Sequence, residues 1–107
     1  MSDLKVLFSL KGRNAIVTGG GQGLGKSMAL GLAQAGANII IAARHIESAL
    51  KTKEEIEAEG VRCTVIKGDM RDENDVKSMV SQVMQEFGKI DILFNNAEPG
   101  GGMMQKR

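Results

Sequence analysis

The feature that most restricts the fold of this chain is a glycine cluster, "VTGGGQGLGKSM", at residues 17–28. An apolar, β-branched run at residues 14–18 leads into it, and a helical pattern of apolar and small residues begins at Leu24. The change from a strand-like run to a helical pattern predicts a tight turn between a buried strand and a helix. Glycines let the backbone approach an anion closely, and the first helical amides attract it. The cluster therefore predicts a phosphate-binding turn.

Three helices are predicted from this point onward, each followed by a glycine that can end it. The first covers residues 24–35, the second covers residues 46–59, and the third begins at an N-cap, Asp72, with Asp75 in a capping-box position. The charged segment "KTKEEIEAE" of the second helix is expected to form a solvated face. Helical spacing predicts the following buried residues for the last two helices: Ile46, Ala49, Leu50 and Ile56, then Val76, Met79, Val80, Val83, Met84 and Phe87.

Four short apolar runs alternate with these helices and give the order β-α-β-α-β-α-β. The runs lie at residues 14–18, 38–43, 62–69 and 90–94. This alternation predicts an α/β fold with a doubly wound parallel sheet. Right-handed crossovers give the strand order 3-2-1-4 and place the third helix opposite the first two. Ligands bind at the carboxyl ends of strands beside such a reversal, and the glycine cluster lies there.

Composition argues against several classes of function. The 107 residues allow one small domain, and a formal net charge of +1 gives no basic surface for nucleic acid or an anionic membrane. No apolar run reaches the ~20 residues of a membrane span, and the N-terminus lacks a signal-peptide pattern, so a cytoplasmic location is expected. The stretch "MRDEND" lacks the spacing of a calcium loop, and no metal site is predicted. Cys63 is expected to be a buried strand residue.

The glycine cluster satisfies two phosphate-binding motifs. Residues 20–27 fit G-x-x-x-x-G-K-S, the loop of nucleotide triphosphatases, and residues 18–25 fit T-G-x-x-x-G-x-G, a dinucleotide-binding turn. A triphosphatase also needs an acidic residue after another apolar strand to hold magnesium, and Asp69 and Asp91 are poorly placed for this role. Polar groups suited to a dinucleotide follow the second, third and fourth strands. The dinucleotide interpretation is therefore favoured, and the triphosphatase is the weaker alternative.

Three motifs at these separations resemble those of a known family. They are "TGGGQGLG" after the first strand, Gly68-Asp69 after the third, and "DILFNNA" at the fourth. Residues 8–97 resemble the N-terminal part of the short-chain dehydrogenase/reductase family, with its Rossmann-type fold. The segments "FSLKGRNAIVTGG" and "MALGLAQAGANIII" are most similar to the gluconate and deoxygluconate dehydrogenase branch. The resemblance implies hydride transfer between a nicotinamide dinucleotide and an alcohol or ketone, with sugar acids among the candidate substrates.

The resemblance also implies which residues bind the cofactor. Gly19 would make the tight turn, Gly23 would let the pyrophosphate approach, and Gly25 would permit close packing of the first helix. Asp69 would accept a hydrogen bond from the adenine amino group, while Asn95 and its neighbour would stabilise the central strands. The implied set is Thr18, Gly19, Gly21, Gln22, Gly23, Leu24, Gly25, Arg44, Asp69, Met70, Asn95, Asn96 and Ala97.

Cofactor choice follows from the charge at the end of the second strand. An acidic side chain there binds the ribose 2′-hydroxyl and repels a 2′-phosphate. This chain has Ala43 at that place, followed by Arg44, and a guanidinium is a good partner for phosphate. NADP(H) is therefore predicted over NAD(H). His45 is expected to be an exposed loop residue without a role.

The resemblance ends near residue 97. Glu98 replaces the glycine of the family pattern Asn-Asn-Ala-Gly, and residues 98–107 suggest an irregular tail from a truncation or a shifted reading frame. The family's catalytic serine, Tyr-x-x-x-Lys pair and asparagine lie in the second half of a longer chain, and this sequence contains no tyrosine. We therefore expect residues 1–97 to form a partial dinucleotide-binding domain that is inactive alone, takes a substrate only in a full-length form, and self-associates through an open fourth strand. The alternative is a non-catalytic dinucleotide-binding or subunit-interaction fragment.

Overall fold

A computed structural model describes residues 9–19 and 21–96 of the chain. The elements are β1 (Asn14–Thr18), α1 (Gly23–Gln34), β2 (Asn38–Ala43), α2 (Ile46–Glu57), β3 (Cys63–Lys67), α3 (Glu73–Phe87) and β4 (Ile92–Asn95). The strands form one parallel sheet in the order β3-β2-β1-β4, which confirms the predicted fold class and topology. The boundary predicted at residue 97 and the tail beyond it lie outside the described residues.

Successive side chains of a strand point to opposite faces of the sheet. In the central strands, β1 and β2, the side chains on both faces are largely buried. One face packs on α1 and α2, and its buried residues are Ala15, Val17, Ile39 and Ile41 with Ala29, Ala33, Ala49 and Ile56. The other face packs on α3, and its buried residues are Ile16, Ile40, Ala42 and Ile66 with Met79 and Val83. The third helix therefore lies opposite the first two, as predicted. In the described part of the chain, no helix is long and apolar enough to cross a membrane.

The ends of α3 follow the sequence, with one difference. The Asp72 side chain caps the helix by accepting hydrogen bonds from the amides of Asn74 and Asp75, as predicted. Gly88 ends the helix at a left-handed φ of 85°, with its amide donating to the carbonyl of Met84. The capping-box prediction for Asp75 was wrong, since the Asp72 amide donates to the Asp69 carbonyl at 2.9 Å. The Asp75 Oδ2 instead accepts the Asp69 amide at 2.8 Å. Asp75 therefore ties the segment after β3 to α3.

The predicted buried faces of α2 and α3 were partly wrong. Leu50 is 46% exposed, whereas Thr52, from the segment expected to be solvated, is fully buried. In α3, Met79 is buried as predicted, but Met84 is 45% exposed and Val80 is exposed as well. Each face of the four-stranded sheet carries a single layer of helices. Only the helical residues that face the sheet are therefore buried, and the flanks of each helix stay in solvent. The 3.6-residue period locates the helices but does not show which side of the apolar stripe faces the sheet.

Cys63 is buried in β3, as predicted, and burial raises the pKa of its thiol from 9.0 to about 12. The folded chain therefore holds this proton more tightly than the unfolded chain. Its contribution to stability is complete below pH 9.0 and is lost as the pH rises toward 12. We expect the free energy of unfolding to fall by about 1 kcal/mol more in the wild type than in Cys63→Ala on going one pH unit above this lower limit. Urea denaturation at each pH measures this difference, and parallel pH curves for the two chains would contradict it.

Candidate cofactor-binding site

The turn after β1 has the backbone geometry that its glycines allow. Gly19 and Gly23 have φ angles of 69° and 63°, in the left-handed region that other residues rarely adopt. The amide of Gly19 donates to the carbonyl of Ala42 at 2.9 Å, which joins the turn to β2. α1 begins at Gly23, and the side chain of its N-cap residue, Gln22, makes no capping hydrogen bond. The positive end of the α1 dipole therefore lies at the carboxyl edge of the sheet without a side-chain cap.

The turn is packed closely against α2. A Cβ atom at Gly21 would lie 2.7 Å from Ser48 Oγ, closer than real Cβ atoms come, and 3.0 Å from the amide nitrogen of Ala49, tighter than most real Cβ contacts. The buried hydroxyl of Thr52 donates to the Gly21 carbonyl at 3.0 Å. Sequence analysis missed Thr52 because its partner is a main-chain atom 31 residues away, which leaves no local pattern.

Asp69 lies in the segment that follows β3. Its carboxylate accepts two hydrogen bonds of 3.1 Å from the Arg71 guanidinium and one of 2.9 Å from the Arg71 amide. These side-chain and backbone hydrogen bonds lower the pKa of Asp69 to about 2, so the group is an ionised acceptor at neutral pH. Sequence analysis did not identify Arg71, which holds this carboxylate in place.

β1 and β4 are joined at their carboxyl ends by side-chain hydrogen bonds. The Thr18 hydroxyl donates to Oδ1 of Asn95 at 2.9 Å and accepts the amide of Asn96 at 2.8 Å. Thr18 is buried, and its hydroxyl is engaged with β4. The Asn95 side chain and the Asn96 backbone amide thus join β4 to β1, and the stabilising role expected for the two asparagines stays a prediction.

A cleft of about 370 Å³ opens at the carboxyl ends of the strands, where these groups meet. From the set implied by the resemblance, it is lined by Gly19, Gly21, Gln22, Gly23, Leu24, Arg44, Asp69, Met70 and Asn96. It is also lined by residues to which sequence analysis gave no cofactor role: Ala42, Ala43, His45, Ser48, Gly68 and Arg71. Thr18, Gly25 and Asn95 are not lining residues, and Gly25 is buried at the start of α1. Ala97 lies outside the described residues.

The charges around the cleft suit an anionic ligand with a donor at one end. Arg44 is exposed on the lining and contributes to the lowered pKa of Asp69. Lys26, which would reach the phosphates in a triphosphatase, instead pairs with Glu55 of α2 at 2.9 Å. This pairing disfavours the triphosphatase alternative, although its first glycine, Gly20, lies outside the described residues. Among the residues that the structure describes, no three His, Cys, Asp or Glu side chains are grouped to hold a metal ion.

The fold is that of a Rossmann-type domain, and the chain belongs to the short-chain dehydrogenase family, whose sequence model matches residues 13–106. It is 46% identical over 89 residues to the uncharacterized oxidoreductase YhdF of Bacillus subtilis (strain 168), an alignment that covers 82% of this chain and 31% of the relative. These two matches confirm the resemblance found in the sequence. The family model extends past residue 97, and the domain boundary expected there stays a prediction.

Two further relatives bear names from the branch noted in the sequence. Gluconate 5-dehydrogenase of Gluconobacter oxydans (strain 621H) is 40% identical over 91 residues, covering 85% of this chain and 36% of the relative. For 2-dehydro-3-deoxy-D-gluconate 5-dehydrogenase of Escherichia coli (strain K12), the identity is 43% over 90 residues, with coverage of 84% and 35%. The chain thus spans about a third of the length of the curated relatives that it matches.

Solved structures of this family share the fold. NAD⁺-bound xylitol dehydrogenase superposes with a TM-score of 0.81 at 35% identity, over 85% of this chain and 35% of that chain. The NADP complex of Pseudomonas aeruginosa RhlG superposes with a TM-score of 0.78 at 37% identity, over 86% of this chain and 37% of that chain. The family thus includes proteins that bind either nicotinamide dinucleotide.

Proposed function

We propose that the chain binds NADP(H) in the cleft at the carboxyl ends of β1, β2 and β3. The observation that carries the proposal is the meeting of three groups in one cleft: the glycine turn before α1, the guanidinium of Arg44 and the ionised carboxylate of Asp69. A dinucleotide presents the matching chemistry in an anionic pyrophosphate, a 2′-phosphate and an adenine amino group. The bound cofactor would supply or accept hydride at the nicotinamide C4.

Each part of the cofactor has a partner in this arrangement. The amides at the start of α1 and the turn around Gly21 accommodate the pyrophosphate, because the backbone there is close to the cleft and the helix dipole attracts anions. Asp69 accepts from the adenine amino group, since an ionised carboxylate keeps acceptor capacity beyond its bonds to Arg71. Arg44 pairs with the 2′-phosphate and favours NADP(H) over NAD(H).

The reaction that we propose is hydride transfer between NADP(H) and an alcohol or ketone in a full-length form of the protein. Sugar acids are proposed as substrates because two similar proteins are named for gluconate and 2-dehydro-3-deoxy-D-gluconate. The sequence contains no tyrosine that could act as the general acid, so we propose that this chain alone binds cofactor without turnover. A cytoplasmic location is part of the same proposal. Oxidation of NADPH by the purified chain with any keto acid would refute the claim of inactivity.

Fluorescence titration of NADPH with the purified chain tests the binding proposal directly. The sequence contains no tryptophan or tyrosine, so protein emission will not interfere with that of the cofactor. We expect saturable enhancement of NADPH fluorescence and about tenfold weaker binding of NADH, since the latter lacks the charge-assisted contact to Arg44. The urea-unfolded chain is the control. Unchanged emission at high concentrations of folded protein would refute the proposed function.

We also propose that the chain self-associates through β4. Among the described residues, β4 pairs with β1 alone, and Leu93 in this edge strand is 61% exposed. An edge strand with unpaired backbone groups and an apolar side chain is a surface on which a second strand can pair. Sedimentation velocity is expected to show a mass that rises with protein concentration. A constant monomer mass across the concentration series would contradict this proposal.

A further inference from the structure

We propose that Thr52 is a positioning residue for the cofactor: its hydroxyl holds the carbonyl of Gly21 and so fixes the turn at which the pyrophosphate binds. The inference rests on the proposed function, because it takes the glycine turn as the phosphate site. Thr52 itself does not line the cleft. It acts on the ligand only through the main chain of the turn.

The hydroxyl of Thr52 is a buried polar group on an otherwise apolar face. Thr52 is 0% exposed and lies on the same face of α2 as Ala49 and Ile56, which pack in the core. A buried hydroxyl destabilises the fold unless it finds a partner, and valine would fill nearly the same space without that requirement. The hydroxyl has its partner at 3.0 Å, in the Gly21 carbonyl. Its structural effect is therefore exerted on the turn.

Fixing this carbonyl also fixes the direction of the amide of Gln22, the next residue. The peptide group is planar and trans, so the N–H of Gln22 points opposite to the C=O of Gly21. The carbonyl points toward Thr52 on α2, and the Gln22 amide therefore points away from α2. Gln22 lines the cleft. An amide whose direction is set before binding lowers the ordering cost of binding an anion.

The turn also has little room to move toward α2. Gly21 lies so near α2 that a single added carbon would stand 3.0 Å from the Ala49 nitrogen. The hydrogen bond from Thr52 opposes movement away from α2, and the nearby helix backbone limits movement toward it. Both features restrict the position of the turn relative to α2.

Thr52→Val and Thr52→Ser separate the hydroxyl from the packing. We expect Thr52→Val to bind NADPH about five- to tenfold more weakly than the wild type, and Thr52→Ser to keep native affinity. Thr64→Val is the matched control, since it removes an exposed hydroxyl that donates to Glu86 at 3.2 Å, away from the turn. Amide hydrogen exchange without cofactor should be faster in Thr52→Val at residues 21–24 and unchanged in the central strands.

The outcomes distinguish this inference from the function on which it rests. Native affinity and native exchange in Thr52→Val, with NADPH binding to the wild type, would overturn the role of Thr52 and leave the proposed function standing. Absence of NADPH binding to the wild type would overturn both. Equal losses in Thr52→Ser and Thr52→Val would assign the effect to packing and overturn the role of the hydroxyl. If Thr52→Val does not fold, Thr52→Ala provides the same comparison with Thr52→Ser.

Discussion

Gly21→Ala is expected to weaken NADPH binding by about ten- to hundredfold, because the added Cβ overpacks the contact between the turn and α2. It would lie 2.7 Å from Ser48 Oγ, which can rotate away, but also 3.0 Å from the Ala49 nitrogen, which is part of the helix backbone. The turn must therefore move away from α2 and lengthen its hydrogen bond to Thr52. Fluorescence titration of NADPH with the variant measures the loss.

Gly31→Ala provides the control for this substitution. Gly31 lies in the interior of α1, and no atom comes within 4 Å of a Cβ built there. Replacing a glycine inside a helix stabilises the fold by roughly 0.5–1 kcal/mol, so this variant should unfold at higher urea with unchanged NADPH affinity. Native NADPH affinity in a folded Gly21→Ala chain would show that the close contact with α2 does not control the site.

Arg44→Asp is expected to reverse the cofactor preference. The change removes the proposed charge-assisted partner of the 2′-phosphate and places a repelling carboxylate at the end of β2, where an acid can accept from the ribose 2′-hydroxyl. We expect NADPH affinity to fall by about a hundredfold and NADH affinity to rise. Titrations with both cofactors measure the ratio. Higher salt should reduce the wild-type preference for NADPH, since Arg44 is exposed and its charge is screened.

Lys51→Asp separates a specific contact from general electrostatics. Lys51 is exposed on α2, does not line the cleft and undergoes the same change in charge. Its replacement should reduce NADPH and NADH affinity by similar small factors. If Lys51→Asp changes the cofactor ratio as much as Arg44→Asp does, the preference reflects the field of the whole chain. An unchanged ratio in Arg44→Asp would contradict the assignment of NADP(H).

Most of the fold could be predicted because its determinants are local. β1 and β2 coincide with their predicted ranges, since each is a β-branched or apolar run bounded by polar or glycine residues. The strand order followed from the alternation of elements and the handedness of crossovers, which leave few topologies. The parallel arrangement also places Arg44 and Asp69 at one edge of the sheet, because the carboxyl ends of parallel strands lie at the same edge.

The contacts that shape the site could not be predicted in the same way. Thr52 lies in a charged segment, and only the tertiary fold shows that its hydroxyl meets a main-chain carbonyl of the turn. Arg71 and Asp75 both hold the segment at Asp69, the first by its side chain and amide and the second by accepting the Asp69 amide. Such partners depend on the distance between side chains and backbone atoms of different elements, for which a single sequence carries no periodic signal.

The hydrogen bonds at Thr18 have a consequence for the order in which the sheet is completed during synthesis. β1 pairs with β2 across a separation of 24 residues at Asn14 and Asn38, but Thr18 reaches Asn95 across 77 residues. The ribosome therefore synthesises β1, β2 and β3 before β4, the partner on the other side of β1, has been made. Closing the larger loop costs more chain entropy and slows assembly. The first strand of the described chain to be made is thus the last to gain both of its neighbours.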